Sequence, residues 1–331
     1  MNQDLTTSPA VRMGVLGTAR VVSYGLVEPA KDLPGLRVEA IASRSLERAQ
    51  TFAAAQGIDR SFGSYQALLD DDEIDAVYIA LPTALHPEWV RRALEAGKHV
   101  LCEKPLTANW EIARELATIA RVQQRVLLEG MHLRYSGTLR RQRELVESGD
   151  FGRILRIESC FRVRKIPNFK DDFRNNFDLG GGAAMDIGCY AVSCLRYLAG
   201  GEPRIGRVHC RRSAAQVDRW MRATCQLPGG IEGIIECGLR GWYRSRVGVN
   251  VKCERGSIKW HGDGLACEIN GRKFHDPTSH GPTQQKQLQA FVDSIQGRPS
   301  FALSPEDAIA NARVLDAMYA GAGLAPRPTS A

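Results

Sequence analysis

From residue 11 to residue 130, short apolar runs alternate with stretches of helical pattern, and this alternation limits the possible folds more than any other feature. The runs are Val11–Gly17, Arg37–Ser43, Ile74–Ala80, Lys98–Cys102 and Arg125–Gly130. Helical stretches stand between them: one to about Lys31, then Leu46–Gln56, Ser64–Leu69, Pro87–Gly97 and Asn109–Gln123. Ile74–Ala80 and Val100-Leu101-Cys102 are near-continuous apolar runs, as in strands covered on both faces. Alternating strand and helix patterns predict a doubly wound parallel sheet. Past residue 131 the pattern changes. After a helix at Thr138–Ser148, strands are expected at Ile154–Arg164 and near 204–213, 218–227, 231–239, 246–253 and 256–260. Turn formers Pro228-Gly229-Gly230 and Glu254-Arg255-Gly256 separate some of them, so this sheet should be open and mostly antiparallel. Helices at Thr283–Gln296 and Pro305–Gly321 close the chain. The reading is an α/β protein of two domains, 1–131 and 132–331, which suits a length of 331 residues.

Composition removes several function classes. Hydrophobic residues make up 44% of the chain, enough for real cores, with polar tails expected at both ends. No apolar run reaches the ~18–20 residues of a membrane span, and no signal-type segment opens the sequence, so a soluble cytoplasmic protein is expected. Nine cysteines without CxxC spacing read as reduced core residues, and seven histidines without HxH or HExxH spacing give no metal site. The net charge of +7 is spread along the chain without an aromatic-basic motif, which argues against nucleic acid. The densest basic group, Arg162, Arg164, Lys165, Lys170 and Arg174, suits either a solvated face or an anionic small ligand.

The carboxyl ends of the first-domain strands carry the candidate cofactor residues, where open α/β sheets place their ligands. Gly17-Thr18-Ala19-Arg20 follows the first strand. Gly17 keeps the first position of a G-x-G-x-x-G loop, while Ala19 and Val22 stand at the second and third. Ser43-Arg44 ends the second strand, where a carboxylate would select NAD. A hydroxyl and a guanidinium can instead hydrogen-bond a 2′-phosphate, which favours NADP over NAD. Leu81-Pro82-Thr83, with His86 close behind, ends the third. Glu103-Lys104-Pro105 ends the fourth, because proline cannot continue the ladder. Read alone, that ending is either a surface ion pair or an active-site lysine.

In the second half, Leu179-Gly-Gly-Gly-Ala-Ala-Met-Asp-Ile-Gly-Cys-Tyr190 stands out. Three glycines allow close backbone approach, and a helix should run from Ala183 to about Leu198. Asp186 and Tyr190, at i and i+4, share one face, and Gly188 leaves room for a flat ring against the helix. Hydride transfer at a carbinol carbon needs a matching proton transfer at its oxygen. A tyrosine beside a cation such as Lys104 could supply it.

Together these stretches resemble the Gfo/Idh/MocA oxidoreductases. The matching segments are Gly14-Val-Leu-Gly17, Leu81-Pro-Thr-Ala-Leu-His86, Glu103-Lys104-Pro105, Glu129-Gly-Met-His-Leu-Arg-Tyr135, Gly180-Gly-Gly-Ala-Ala-Met-Asp-Ile-Gly-Cys-Tyr190 and Ser304-Pro-Glu-Asp-Ala. The chain looks most similar to the branch holding dimeric dihydrodiol dehydrogenase, NADP-linked xylose dehydrogenase and glucose–fructose oxidoreductase. The resemblance implies an N-terminal Rossmann domain and a C-terminal α/β domain whose sheet forms homodimers or homotetramers. It implies that Lys104 contacts the nicotinamide ribose and the substrate, that Tyr190 is the general acid/base, that Asp186 positions or tunes them, and that Arg44 meets the 2′-phosphate. Thr83 departs from the usual Asn. Substrate contacts are expected from Arg134, Arg162, Lys165, Arg174 and Trp242. The substrate would be a sugar, a cyclic polyol or a keto form. A non-catalytic sensor of NADP(H) or sugar on the same fold is the alternative.

Overall fold

A computed structural model describes residues 9–164, 172–239, 241, 244–261 and 264–328. The first sheet has the order β3-β2-β1-β4-β5-β6, with every described pairing parallel. Its strands are β1 Val11–Leu16, β2 Leu36–Ala42, β3 Arg60–Phe62, β4 Ala76–Ile79, β5 His99–Glu103 and β6 Leu127–Gly130. Strand order reverses at β1/β4, so the β1, β2, β4 and β5 ends open toward one crevice. The apolar runs are covered on both faces, as their sequence requires: Val100, Leu101 and Cys102 of β5 are fully buried and split between two cores. Each buried Val or Leu contributes roughly 1.5–3 kcal/mol. β3 was not anticipated. Three half-buried residues, Arg60-Ser-Phe62, carry too little pattern to read.

The second sheet has eight strands in the order β14-β13-β12-β11-β7-β10-β9-β8. They are β7 Ile154–Val163, β8 Arg204–Ala214, β9 Val217–Gln226, β10 Glu232–Leu239, β11 Arg246–Cys253, β12 Gly256–His261, β13 Gly264–Ile269 and β14 Arg272–Asp276. Only the β10–β7 pair is parallel. The edge hairpin β13–β14 was not anticipated either, since β14 reads Arg-Lys-Phe-His-Asp and is mostly exposed. One face of this sheet packs under the helices Gly137–Glu147, Cys189–Ala199 and Pro305–Gly321. The other carries charged pairs such as Arg156–Glu232 and Arg162–Glu236.

The closing helices tie the halves together. Leu288, Phe291 and Val292 of the helix Thr283–Ile295 complete the core beside β1, and Ala308 joins the core on the opposite face of that sheet. All nine cysteines are free, and eight of them are buried. Among the described residues no helix is long and apolar enough to cross a membrane, and no cluster of His, Cys, Asp or Glu could hold a metal.

Candidate active site

β5 delivers Glu103 and Lys104 to the crevice. Glu103 accepts a hydrogen bond from the Tyr78 hydroxyl of β4 at 2.6 Å. Burial raises its carboxyl above the ordinary range, with Lys104 opposing. The Lys104–Pro105 peptide is cis. Beneath this turn, buried Glu129 of β6 accepts the Leu106 N–H at 2.8 Å, and burial pushes its carboxyl up to about 7.

From the other domain comes the glycine loop. Gly180 lies close enough to the turn after β4 that a Cβ on it would reach Thr83 Cβ at 3.1 Å. A π-type turn over Ala184–Gly188 then leads into the helix Cys189–Ala199. This places Asp186 and Tyr190 together over Lys104. The lysine Nζ donates to the Asp186 carbonyl oxygen and to Asp186 Oδ1 at 3.2 Å. It stands 4.9 Å from the centre of the Tyr190 ring. Asp186 Oδ2 accepts from Arg174 Nε at 2.9 Å, and Arg174 also pairs with Asp172.

The charges follow from this geometry. Burial, the largest single influence, would lower the Lys104 pKa, but Asp186, Tyr190, Cys189 and Glu103 together outweigh it and the ammonium is held above its ordinary value. Burial would raise Asp186, yet Lys104 and Arg174 hold it below the usual carboxylate range. Burial pushes the Tyr190 phenol well above 10, and Lys104 opposes that without cancelling it. The phenol is therefore protonated at neutral pH. Its hydroxyl has no hydrogen-bond partner among the described residues, which leaves it available to a ligand.

His132, just past the end of β6, carried no role in the sequence reading. Its ring meets Tyr190 edge-on at 5.4 Å, and its Nδ1 lies 2.9 Å from the Thr283 hydroxyl. Burial, reinforced by Lys104, lowers its pKa to about 4, so it is neutral. Its place at the carboxyl end of a neighbouring strand was the available signal. Phe161 of β7 stacks on the other side of Tyr190 at 6.0 Å.

Several expected residues take other places. His86 is 1% exposed, and its ring nitrogens lie 2.8 Å and 3.0 Å from the carbonyl oxygens of Leu81 and Pro105. It clasps the turns after β4 and β5, and neither nitrogen is free for a cofactor. Arg134 is bound to Asp307 and stacks over Tyr197, away from Lys104 and Tyr190. Since Phe161 faces Tyr190, strand alternation sends Arg162 to the opposite face of the sheet, where it pairs with Glu236. Gly188 does not receive a flat ring: a Cβ there would meet Cys237 Sγ of β10 at 3.0 Å. The helix approaches its own sheet at that point. Lys165 and Trp242 lie outside the described residues.

The mouth of the first sheet, at the ends of β1, β2 and β4, is formed as well. Gly17 has φ +104°, and a Cβ on it would stand 2.7 Å from the Ala80 carbonyl oxygen. Only glycine allows β1 and β4 to converge there. Thr18, Ala19 and Arg20 follow it at the mouth, with Leu81, Pro82 and Thr83 opposite. At the end of β2, Ser43 is buried, and Arg44 is exposed with no carboxylate partner among the described residues.

Residues 11–131 match the model of the "Oxidoreductase family, NAD-binding Rossmann fold" (GFO_IDH_MocA), and residues 139–259 match the GFO/IDH/MocA C-terminal domain. The chain belongs to this family. It is 32% identical to the D-xylose 1-dehydrogenase (NADP(+)) 2 of Haloferax volcanii over 93% of this chain and 96% of that one. It is 36% identical to a dTDP-3,4-didehydro-2,6-dideoxy-alpha-D-glucose 3-reductase of Streptomyces antibioticus over 88% and 85% of the two chains. The structure of KijD10, a 3-ketoreductase from Actinomadura kijaniata in complex with NADP and TDP-benzene, superposes with a TM-score of 0.87. That match has 27% identity and covers 95% of this chain and 98% of the other.

Proposed function

We propose that this protein is an NADP-dependent oxidoreductase that interconverts a carbinol and a carbonyl on a sugar, cyclic polyol or keto-sugar. The observation that carries the reading is the convergence of Lys104, Asp186 and the unpartnered Tyr190 hydroxyl beside the mouth of β1, β2 and β4. The residues at that mouth fit the cofactor: Gly17 permits close approach to a pyrophosphate, and the unpaired Arg44 guanidinium suits a 2′-phosphate. Bound there, the nicotinamide would exchange hydride with the substrate carbon.

The chain's own residues handle the proton. In reduction, protonated Tyr190 donates to the developing alkoxide, and the Lys104 ammonium stabilises the phenolate left behind. In oxidation the same phenol must first lose its proton, and Lys104 lowers the cost. Asp186 holds Lys104 in place, while Arg174 and Asp172 hold Asp186. His132 and Phe161 fix the ring from two sides. Homodimers or homotetramers through the charged face of the second sheet belong to the same reading, and light scattering tests them.

Purified protein mixed with NADP⁺ or NADPH and a panel of aldoses, inositols and nucleotide-linked keto-sugars should change nicotinamide absorbance with at least one substrate. Tight NADP(H) binding without turnover on any member would favour the sensor reading instead.

A further inference from the structure

The first turn of the Tyr190 helix has no side-chain cap of its own, and the glycines before it have little intrinsic preference for one conformation. Something else must fix the loop. We propose that Arg327, in the tail beyond the last helix, is a positioning residue that sets Gly181–Ala184 and, through it, Asp186 and Tyr190.

Arg327 and Asp218 form an ion pair at 2.8 Å with both side chains fully buried. The guanidinium fork donates from Nη2 to Asp218 Oδ1 and from Nε to the Gly181 carbonyl oxygen, both at 2.8 Å, while Nη1 meets the Ala325 carbonyl oxygen at 3.4 Å. Asp218 in turn takes the Tyr319 hydroxyl on Oδ1 at 3.0 Å and the Ala184 N–H on Oδ2 at 2.7 Å. The guanidinium lies 3.9 Å from the centre of the Tyr319 ring and 5.3 Å from that of Phe177. Tail, last helix, β9 and glycine loop thus meet at one buried charge pair. Gly182 packs so close, at φ +139°, that a Cβ on it would overlap Asp218 Oδ1. The Asp186 N–H then bonds the Gly182 carbonyl oxygen at 3.0 Å, which passes the placement on to the catalytic turn. Well-packed apolar side chains in place of both partners could fill such a space at equal stability, but they could not hold the Gly181 carbonyl and the Ala184 N–H at once. The pair therefore specifies geometry. Lysine could satisfy one acceptor but lacks the fork for both.

The test compares the parent with Arg327→Met and Arg327→Lys. Amide hydrogen exchange is read without ligand over residues 177–190 and over β1, and NADP⁺ affinity and D-xylose oxidation are measured alongside. In Arg327→Met, exchange at 182–190 should quicken by about tenfold while β1 is unchanged. Turnover should fall about 30–100-fold with NADP⁺ affinity held, and Arg327→Lys should recover part of both losses. Exchange at 182–190 equal to the parent in a folded Arg327→Met protein overturns the proposal. If that variant does not fold, Arg327→Lys with parental exchange and turnover overturns it. The kinetic half rests on the oxidoreductase reading. If the parent does not oxidise D-xylose, the exchange comparison alone decides.

Discussion

Lys104 and Tyr190 meet in the cleft, yet the scaffolds behind them have opposite chemistry. Lys104 ends a strand whose Val100, Leu101 and Cys102 are buried on both faces among apolar neighbours. Nonpolar packing fixes that side, with Glu129 and His86 as polar ties beneath the turn. Tyr190 follows a glycine loop held by a buried carboxylate, a guanidinium, a phenol and backbone amides. Packing is tolerant of substitutions that conserve volume, whereas a buried charge network fails when one partner goes. The side bearing Tyr190 should therefore be the more sensitive to small polar changes, and the side bearing Lys104 the more robust.

The largest expected effect comes from the residue that joins the two sides. Lys104→Ala removes the cation over Tyr190 and frees Asp186, and kcat/KM should fall about 10³–10⁴-fold with NADP⁺ binding retained in titrations. Tyr190→Phe keeps the ring between His132 and Phe161 and removes only the hydroxyl that the proposal makes the proton donor. Steady-state rates should drop about 10²-fold with thermal stability unchanged. At the nucleotide mouth, Arg44→Ala should lower the preference for NADP over NAD by about 10–100-fold, read as a ratio of kcat/KM values.

A further effect falls on stability and not on rate, and concerns Glu129. Its folded pKa is raised to about 7, so protonation favours the fold. That contribution is complete below the unfolded value near 4.5 and is lost as pH rises toward 7, by about 3 kcal/mol. Glu129→Gln should flatten this slope in denaturant titrations run at about pH 5 and about pH 8. A slope equal in parent and variant would remove Glu129 from the packing-dominated side's pH dependence.

Much of this contrast was legible in the sequence because apolar periodicity reports burial. The runs at 11–17, 37–43, 74–80 and 98–102 each became a strand of the first sheet. The Lys104, Asp186 and Tyr190 constellation was legible because proline ends a strand and glycines open a helix, and both leave a mark on the chain. Polar residues whose partners lie far along the chain were not. Arg162 and Arg134 read as substrate contacts, but Glu236 and Asp307 pair with them. His86 stood between a ligand contact and helix-start packing, because nothing local reveals that two carbonyl oxygens meet its ring. His132 and Arg327 were passed over for the same reason: their contacts span 151 residues to Thr283 and 109 residues to Asp218.

The central claim is that Lys104 and Tyr190 act as one proton-transfer device across the two domains. A double-mutant cycle on the single-turnover hydride-transfer rate, with Lys104→Met, Tyr190→Phe and both together, tests it most directly. If the two residues act as a unit, the double variant will be about as slow as the slower single variant. If the two losses multiply, the residues act independently and the account is contradicted.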